Sequence, residues 1–157
     1  SDQTISIISE FQESAPFVTR LISSKFSQGP GICRNMGIHQ SSGKYLLFLD
    51  SDDCLAPDCL SVLKDVILNT DGFPDILPYD YYRTRSLESK YIHSNSTSLR
   101  SRRDCDCFFS KSLLISSYLE MKMDGSVIFT AFRRKFILDN KLSFPAGIYE
   151  DIAFLFE

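Results

Sequence analysis

Residues 44–53 read Lys-Tyr-Leu-Leu-Phe-Leu-Asp-Ser-Asp-Asp, an apolar run that ends on three acidic residues within four positions. No other stretch constrains the fold as much. A near-continuous apolar run of this kind suits a strand in a sheet covered on both faces. The carboxylates of Asp50, Asp52 and Asp53 would raise one another's pKa values with nothing positive beside them. A positive partner, a metal ion first, is therefore expected at the strand's end. Asp50 and Asp52 stand two apart, so at a strand end both side chains can point the same way. Hard carboxylate oxygens suit Mg²⁺ or Mn²⁺, ions that keep positions for water and for phosphate oxygens. The plainer alternative is a capping cluster, with Asp52 or Asp53 capping a helix entered at Pro57. Asp53 fits either reading; Asp50 and Asp52 together favour a metal–diphosphate site.

Around this run, helical and extended patterns alternate. Helices are expected over Asp2 to about Phe11 with Ser1 or Asp2 as cap, over Gly31 to Gln40 with Gly43 as a stop, and from Pro57 toward Gly72. The last has Leu60, Leu63 and Ile67 as its inner stripe. Strands are expected over Phe17–Phe26, Lys44–Leu49, Asp75–Arg83 and, briefly, Val127–Phe129. Leu87–Arg103 reads as a loop or loose hairpin, Ser110–Met121 as a helix, Asp124-Gly125 as a turn, and Arg133–Asn140 as a short helix. Phe144–Gly147 is a loop, and Glu150 opens a last helix. With no repeat or linker, the 157 residues read as one α/β domain, a sheet flanked by helices. Ligands of such sheets bind outside the carboxyl ends of the strands, where the acidic cluster lies.

Composition narrows the partners. Hydrophobic content of 43% and charged content of 24% are those of an ordinary globular chain. A net charge of −3 argues against nucleic acid. The basic clusters Arg100–Arg103 and Arg133–Lys135 read as solvated surface or anion contacts. No apolar run is long enough for a transmembrane helix, and no signal-peptide pattern opens the chain. Cys33, Cys54, Cys59, Cys105 and Cys107 are odd in number and fit no disulfide framework, so free thiols in a reducing, cytoplasmic setting are expected. Cys105-Asp106-Cys107 lacks the partners of a metal site, and the Asn95-Ser96-Thr97 triplet would be inert in such a compartment. Glu150-Asp151 could simply complement a helix dipole. In a site that needs a general base, one of the two could instead take a proton from an acceptor hydroxyl.

Several segments, in order, carry a resemblance. Gly31-Ile32-Cys33-Arg34-Asn35-Met36-Gly37, Ser42-Gly43-Lys44-Tyr45, Phe48-Leu49-Asp50-Ser51-Asp52-Asp53 and Pro57-Asp58 resemble motifs of family 2 glycosyltransferases. Phe132–Ile137 and Phe144-Pro145-Ala146-Gly147 with Tyr149-Glu150-Asp151 and Phe154 resemble that family's later segments. The resemblance implies a GT-A (Rossmann-like) fold and inverting transfer of a sugar from a nucleotide-diphosphate donor. The nucleotide would be uridine by family expectation, the acceptor a saccharide or lipid-linked hydroxyl, and the setting polysaccharide or glycan biosynthesis. It makes Asp50-Ser51-Asp52 the D-x-D element, with Asp52 the most direct ligand of Mn²⁺ or Mg²⁺ and Asp50 beside it. Asp53 would line the donor pocket, and Asp151 would be the catalytic base. Glu150 would contact the acceptor or hold the loop, and Arg34 would lie near the diphosphate. Asn35 would lie in the donor site or brace the motif, and Asp2 would be a nucleotide contact. The location implied is cytoplasmic, peripheral at most to the inner face of the membrane.

The sequence also departs from the family pattern. Cys33 stands for the usual Ala, and Ile128-Phe129-Thr130 replaces a more polar stretch. Ser1–Thr4 resembles only the tail of the family's D-D-G-S-x-D-x-T motif, so an internal fragment lacking the first strand–helix–strand is expected. Such a fragment would expose sheet edges, be prone to self-association, and could be inactive alone. Two rivals compete with the transferase. One is a haloacid-dehalogenase-like phosphatase with Asp50 as nucleophile and Asp52 as acid/base. The other is a non-catalytic module that binds sugar or a partner. An EF-hand fails, because Cys54 and Leu55 occupy positions its loop needs for a ligand and a glycine.

Overall fold

The apolar run forms β1 (Tyr45–Leu47), a strand shorter than the Lys44–Leu49 expected. The reason is its partner. In the computed structural model β1 pairs antiparallel with β5 (Thr130–Arg133), whose register spans only Tyr45↔Arg133 to Leu47↔Ala131. Beyond the ladder Leu49 turns out to solvent, half exposed. Phe48 packs on the core against Phe132, Phe144 and Phe154. The structure describes residues 3–24, 26–70, 72–79, 82–83, 92–93, 116, 120 and 126–157.

Among them, α1 (Thr4–Ser14) comes first, followed by α2 (Pro30–Gln40), β1 and α3 (Cys59–Asn69). Next are β2 (Ile76–Pro78), β3 (Tyr82–Arg83) and β4 (Ile92–His93). A 3-10 turn (Val127–Phe129) leads into β5, α4 (Arg134–Asp139) and α5 (Glu150–Phe156). The main sheet has the order β1-β5-β2 and is antiparallel at both pairings. Proline at the end of β2 suits an edge strand, since it has no N–H to give the ladder. A second antiparallel pair joins β3 to β4. So Asp75–Arg83, expected as one strand, is divided between two sheets.

Four other expectations are corrected. Phe17–Phe26 is not a strand: its described residues carry no ladder, and Phe17 and Val18 point to solvent. Alternation alone cannot hold a strand whose backbone groups have no neighbour to pair with. The segment is tied down instead by Gln12 donating to the Thr19 carbonyl and Arg20 donating to the Gln40 carbonyl at the end of α2. The N-cap of α1 is Gln3, not Ser1 or Asp2, both outside the described residues. Pro57 lies in a turn ahead of α3, which Asp58 precedes as N-cap; only Leu63 of the expected stripe is fully buried. Val127–Phe129 is a 3-10 turn, and the strand begins at Thr130.

Residues 1–2, 25, 71, 80–81, 84–91, 94–115, 117–119 and 121–125 lie outside the description. The readings of Leu87–Arg103, of Asp124-Gly125, of Cys105 and Cys107, of the Asn95 triplet and of most of Ser110–Met121 fall there.

The core gathers Ile38 from α2, Leu46 from β1, Phe132 from β5, Ile137 from α4 and Phe154 from α5, together with Val127 and Phe144. Phe144 and Phe154 stack at 4.1 Å, nearly parallel. This aromatic floor lies under the end of β1, so it fixes where the acidic turn stands relative to α5. Elsewhere, Arg133 pairs with Asp75, while Arg134 donates to Ser41 Oγ and Lys135 pairs with Asp139. The basic cluster of the sequence is thus divided among three local contacts.

Candidate functional site

The positive partner expected beside the acidic turn is present within the chain. It is Arg34, on α2, with its side chain only 13% exposed. Nη2 donates to Asp50 Oδ1 at 2.9 Å, and Nη1 donates to Glu150 Oε1 at 2.8 Å and to Asp151 Oδ1 at 2.5 Å. One planar fork therefore ties the end of β1 to the first turn of α5, a geometry that suits guanidinium. Burial opposes charging Arg34, but the hydrogen bonds and charges of Asp50, Asp151 and Glu150 outweigh it and raise its pKa above the ordinary value. It is a fixed cation. The Phe144 ring faces it at 5.5 Å.

The neighbours of Arg34 explain how α2 comes so close to the 144–150 loop. Asn35 holds Phe144 at two points: Nδ2 donates to the Phe144 carbonyl at 2.8 Å, and the Phe144 N–H donates to Oδ1 at 2.9 Å. Its amide is thereby committed to bracing the loop. Gly31 makes the approach possible. A Cβ there would stand 2.9 Å from the Pro145 carbonyl oxygen, 3.0 Å from Glu150 Cγ and 3.1 Å from Phe144 Cβ. Glycine in the first turn of α2 is thus a packing requirement, not a turn signal.

Asp151 is held on both oxygens. Oδ1 faces Arg34, while Oδ2 accepts from Ser126 Oγ at 3.1 Å and from the Val127 N–H at 3.3 Å. Burial is the largest influence on its carboxyl and raises its pKa; Arg34, Val127 and Ser126 oppose that rise. Both Glu150 and Asp151 lie in the first turn of α5, so they also complement its dipole. Tyr149 just before them adopts a left-handed backbone, φ 64°, uncommon without glycine. Such a conformation aims the chain so that the two acidic side chains turn inward while Tyr149 itself stays exposed.

Asp50 closes a turn in which its carbonyl accepts from the Asp53 N–H at 3.2 Å. Asp52 and Asp53 ride on this turn, exposed, their carboxylates with no protein partner among the described residues. No cluster of three or more His, Cys, Asp or Glu residues able to hold a metal occurs among the described residues. Asp52 with the second oxygen of Asp50 offers the one or two carboxylates by which Mg²⁺ is usually bound, water and phosphate oxygens completing its shell. The donor set fits a shared ion and not an all-protein cage.

The structure therefore joins Arg34, Asp50, Glu150 and Asp151, leaves Asp52 and Asp53 open beside them, and turns Asn35 to the loop. Asp2 is outside the described residues. Sequence reading missed Ser126 and Phe144 as members of the site. For Ser126 no signal existed, since an isolated serine before an apolar run is unremarkable. Phe144 was visible as part of a loop and of a motif that resembles the family's, but without a role of its own.

With this geometry in view, the relatives take on meaning. A family model described as glycosyl transferase family 2 matches residues 1–106, and the chain belongs to that family. The match covers Arg34 and the acidic turn and stops short of Glu150-Asp151. An uncharacterized glycosyltransferase of Haemophilus influenzae is 38% identical over 98 residues, 62% of this chain and 38% of that protein. A Campylobacter jejuni protein named GalNAc(5)-diNAcBac-PP-undecaprenol beta-1,3-glucosyltransferase is 35% identical over 63 residues, 40% of this chain and 20% of its own length. An uncharacterized glycosyltransferase of Rickettsia bellii is 39% identical over 70 residues, 45% of this chain and 10% of its own length. The chain thus spans well under half of the relatives it matches. No solved structure matches it significantly. No helix among the described residues is long and apolar enough to cross a membrane.

Proposed function

We propose that this chain forms the catalytic edge of an inverting, metal-dependent glycosyltransferase of GT-A (Rossmann-like) fold. It would transfer a sugar from a nucleotide-diphosphate donor, by expectation a UDP-sugar, to a hydroxyl of a saccharide or lipid-linked acceptor. One observation carries the reading: a single guanidinium, from the family-matched part of the chain, bonds to Asp50 and to the Glu150-Asp151 pair outside that match. Residues 116 and 117 positions away from Arg34 are brought to the same point as the acidic turn. A haloacid-dehalogenase-like site gives Glu150 and Asp151 no task. The name of the Campylobacter relative, with its undecaprenol-linked acceptor, supports the acceptor class and a role in glycan assembly.

Asp52 and Asp50 would hold Mn²⁺ or Mg²⁺. The ion, when bound, offsets the charge that develops on the departing diphosphate. Asp53, exposed on the same turn, would line the donor pocket, and Asp2 would reach the nucleotide. Asp151 takes the proton of the acceptor hydroxyl. The acceptor oxygen then bonds to the anomeric carbon from the face opposite the donor, and the carbon–oxygen bond to the nucleoside diphosphate breaks with its electron pair. Burial helps here, because a raised carboxyl pKa makes Asp151 a better proton acceptor. Arg34 keeps that carboxylate ionised and oriented, and its positive charge would also offset, at a distance, the charge that builds on the diphosphate. Glu150 holds the fork in register. The exposed free thiols of Cys33 and Cys54 fit a cytoplasmic setting, peripheral at the inner face of a membrane.

Calorimetry with UDP and GDP, with and without Mn²⁺, on this chain and on Asp52→Asn tests the donor side. Mn²⁺-dependent binding that Asp52→Asn abolishes is expected. Asp151→Asn should keep that binding while ending transfer from a donor panel. Near-full turnover in Asp151→Asn would remove it as the base, and metal-independent binding would remove Asp52 as a ligand.

A further inference from the structure

We infer that Ser126 is a positioning residue for Asp151: its hydroxyl, with the Val127 N–H, anchors Oδ2 of the carboxylate so that the group is held between two fixed sets of donors. The inference rests on the reading of Asp151 as the base and deepens it.

The geometry is specific. Ser126 Oγ lies 3.1 Å and Val127 N 3.3 Å from the same oxygen, while the other oxygen is 2.5 Å from Arg34 Nη1. Val127 is fully buried and starts the 3-10 turn that runs into β5, so its N–H cannot drift. The backbone of Ser126 is extended just before that turn, and its hydroxyl faces Asp151 at the start of α5. A carboxylate gripped on one oxygen only can rotate about its χ2 bond, a broad torsion. Gripped on both, it presents a single orientation. Misplacement of a reacting group by about 1 Å is worth ~100-fold in rate, so an anchor of this kind is functionally significant. Each donor also stabilises the charged form and so pulls against the burial that raises the carboxyl pKa. Ser126 therefore affects both where the base points and how strongly it holds a proton. Nothing in the family match reaches this residue, which lies beyond position 106.

The test uses Ser126→Ala, with Ser126→Thr as the variant that restores a hydroxyl. The Asp151 carboxyl is followed by ¹³C NMR through a pH titration, alongside kcat/KM against pH with any donor found to turn over. Thermal melts check that both variants are folded. Ser126→Ala is expected to move the Asp151 titration to higher pH, because a bond to the charged form is lost. The acid limb of kcat/KM should move with it, and kcat should fall about tenfold with donor KM little changed. Ser126→Thr should restore both. An Asp151 titration that Ser126→Ala leaves in place overturns the inference. A titration that moves while the rate profile stays put upholds the anchoring and instead removes Asp151 as the base. Should Ser126→Ala fail to fold, Ser126→Cys carries the same comparison, a thiol being a weak donor, and an unmoved titration there overturns the inference equally.

Discussion

Arg34→Met removes the cation and keeps most of the side-chain stem. The structure permits a worked magnitude. Glu150 and Asp151 are 12% and 18% exposed at their side chains, so each loses its partner in a largely dry setting. Asp50, 43% exposed, keeps water and adds little. Removing one partner of a buried ion pair destabilises by ~3–5 kcal/mol. The lost contact with the Phe144 ring adds ~0.5 kcal/mol, partly offset by methionine packing on the same face. About 4 kcal/mol at neutral pH is therefore expected, a large part of the ~5–15 kcal/mol typical of a domain. At ~2–4 °C per kcal/mol for a chain this long, Tm should fall by roughly 8–16 °C.

The pH dependence gives the reasoning its sharper edge. Burial holds the folded Asp151 carboxyl above its ordinary value, and Arg34 is the largest influence pulling it back down. Without Arg34 the folded pKa climbs further, while the unfolded one is unchanged. A carboxyl whose folded pKa is raised binds its proton more readily in the folded state, so stability improves as pH falls. The unfolded value is common to both proteins and cancels, so the deficit of Arg34→Met is complete above the variant's folded pKa and shrinks as pH falls from there to the parent's folded pKa. Thermal or urea melts of the two proteins from about pH 8 down to about pH 4 measure it. A variant within about 2 °C of the parent, with a difference flat in pH, would refute the claim that Arg34 is the counter-charge of this cluster.

The other substitutions test the approach of α2 to the 144–150 loop. Gly31→Ala would put a methyl 2.9 Å from a backbone carbonyl that cannot rotate away, so ~1–3 kcal/mol of destabilisation is expected in chemical denaturation. A neutral result would mean the loop shifts freely. Asn35→Leu leaves the Phe144 N–H and carbonyl without their partner, and ~2–4 kcal/mol is expected at ~1–2 per group, with faster hydrogen exchange at the Phe144 amide. Unchanged exchange there would show that water replaces the clamp.

How much of this was legible beforehand depended on sequence distance. The apolar run and its acidic end could be read locally, because strand and turn signals lie within ten residues. So could α2, expected over Gly31–Gln40 and found over Pro30–Gln40. The extent of β1 could not be read, because it is set by β5, more than eighty residues away, which pairs with only Tyr45–Leu47. Leu49 looks like a strand residue in sequence and is a surface residue in the fold for that reason alone. Phe17–Phe26 failed in the same way, alternating correctly without a neighbour to pair with. The need for a positive charge beside Asp50 was legible; its identity was not, since Coulomb's law asks for a cation and is indifferent to whether it is a metal or a guanidinium. The partners of Arg34 at positions 150 and 151, and the grip of Ser126 on one of them, follow from tertiary packing that no spacing encodes.

The charge balance shows why finding Arg34 there does not remove the case for an ion. Its single charge is shared among Asp50, Glu150 and Asp151, so the fork leaves that group net negative. Asp52 and Asp53 stand exposed on the adjoining turn and add to the excess. The proposed nucleoside-diphosphate donor would bring further negative charge to the same strand end. Arg34 cannot leave its carboxylates for the phosphates without stranding Glu150 and Asp151 in a dry setting, at the cost estimated above. The guanidinium is therefore better suited to holding Asp151 than to binding phosphates, and on the proposed reading a diphosphate donor would need a cation of its own. In the proposed reading the ion would fall to Asp52, which has no contact with Arg34. It is also why the calorimetric titration without Mn²⁺ should show donor binding lost outright and not merely weakened.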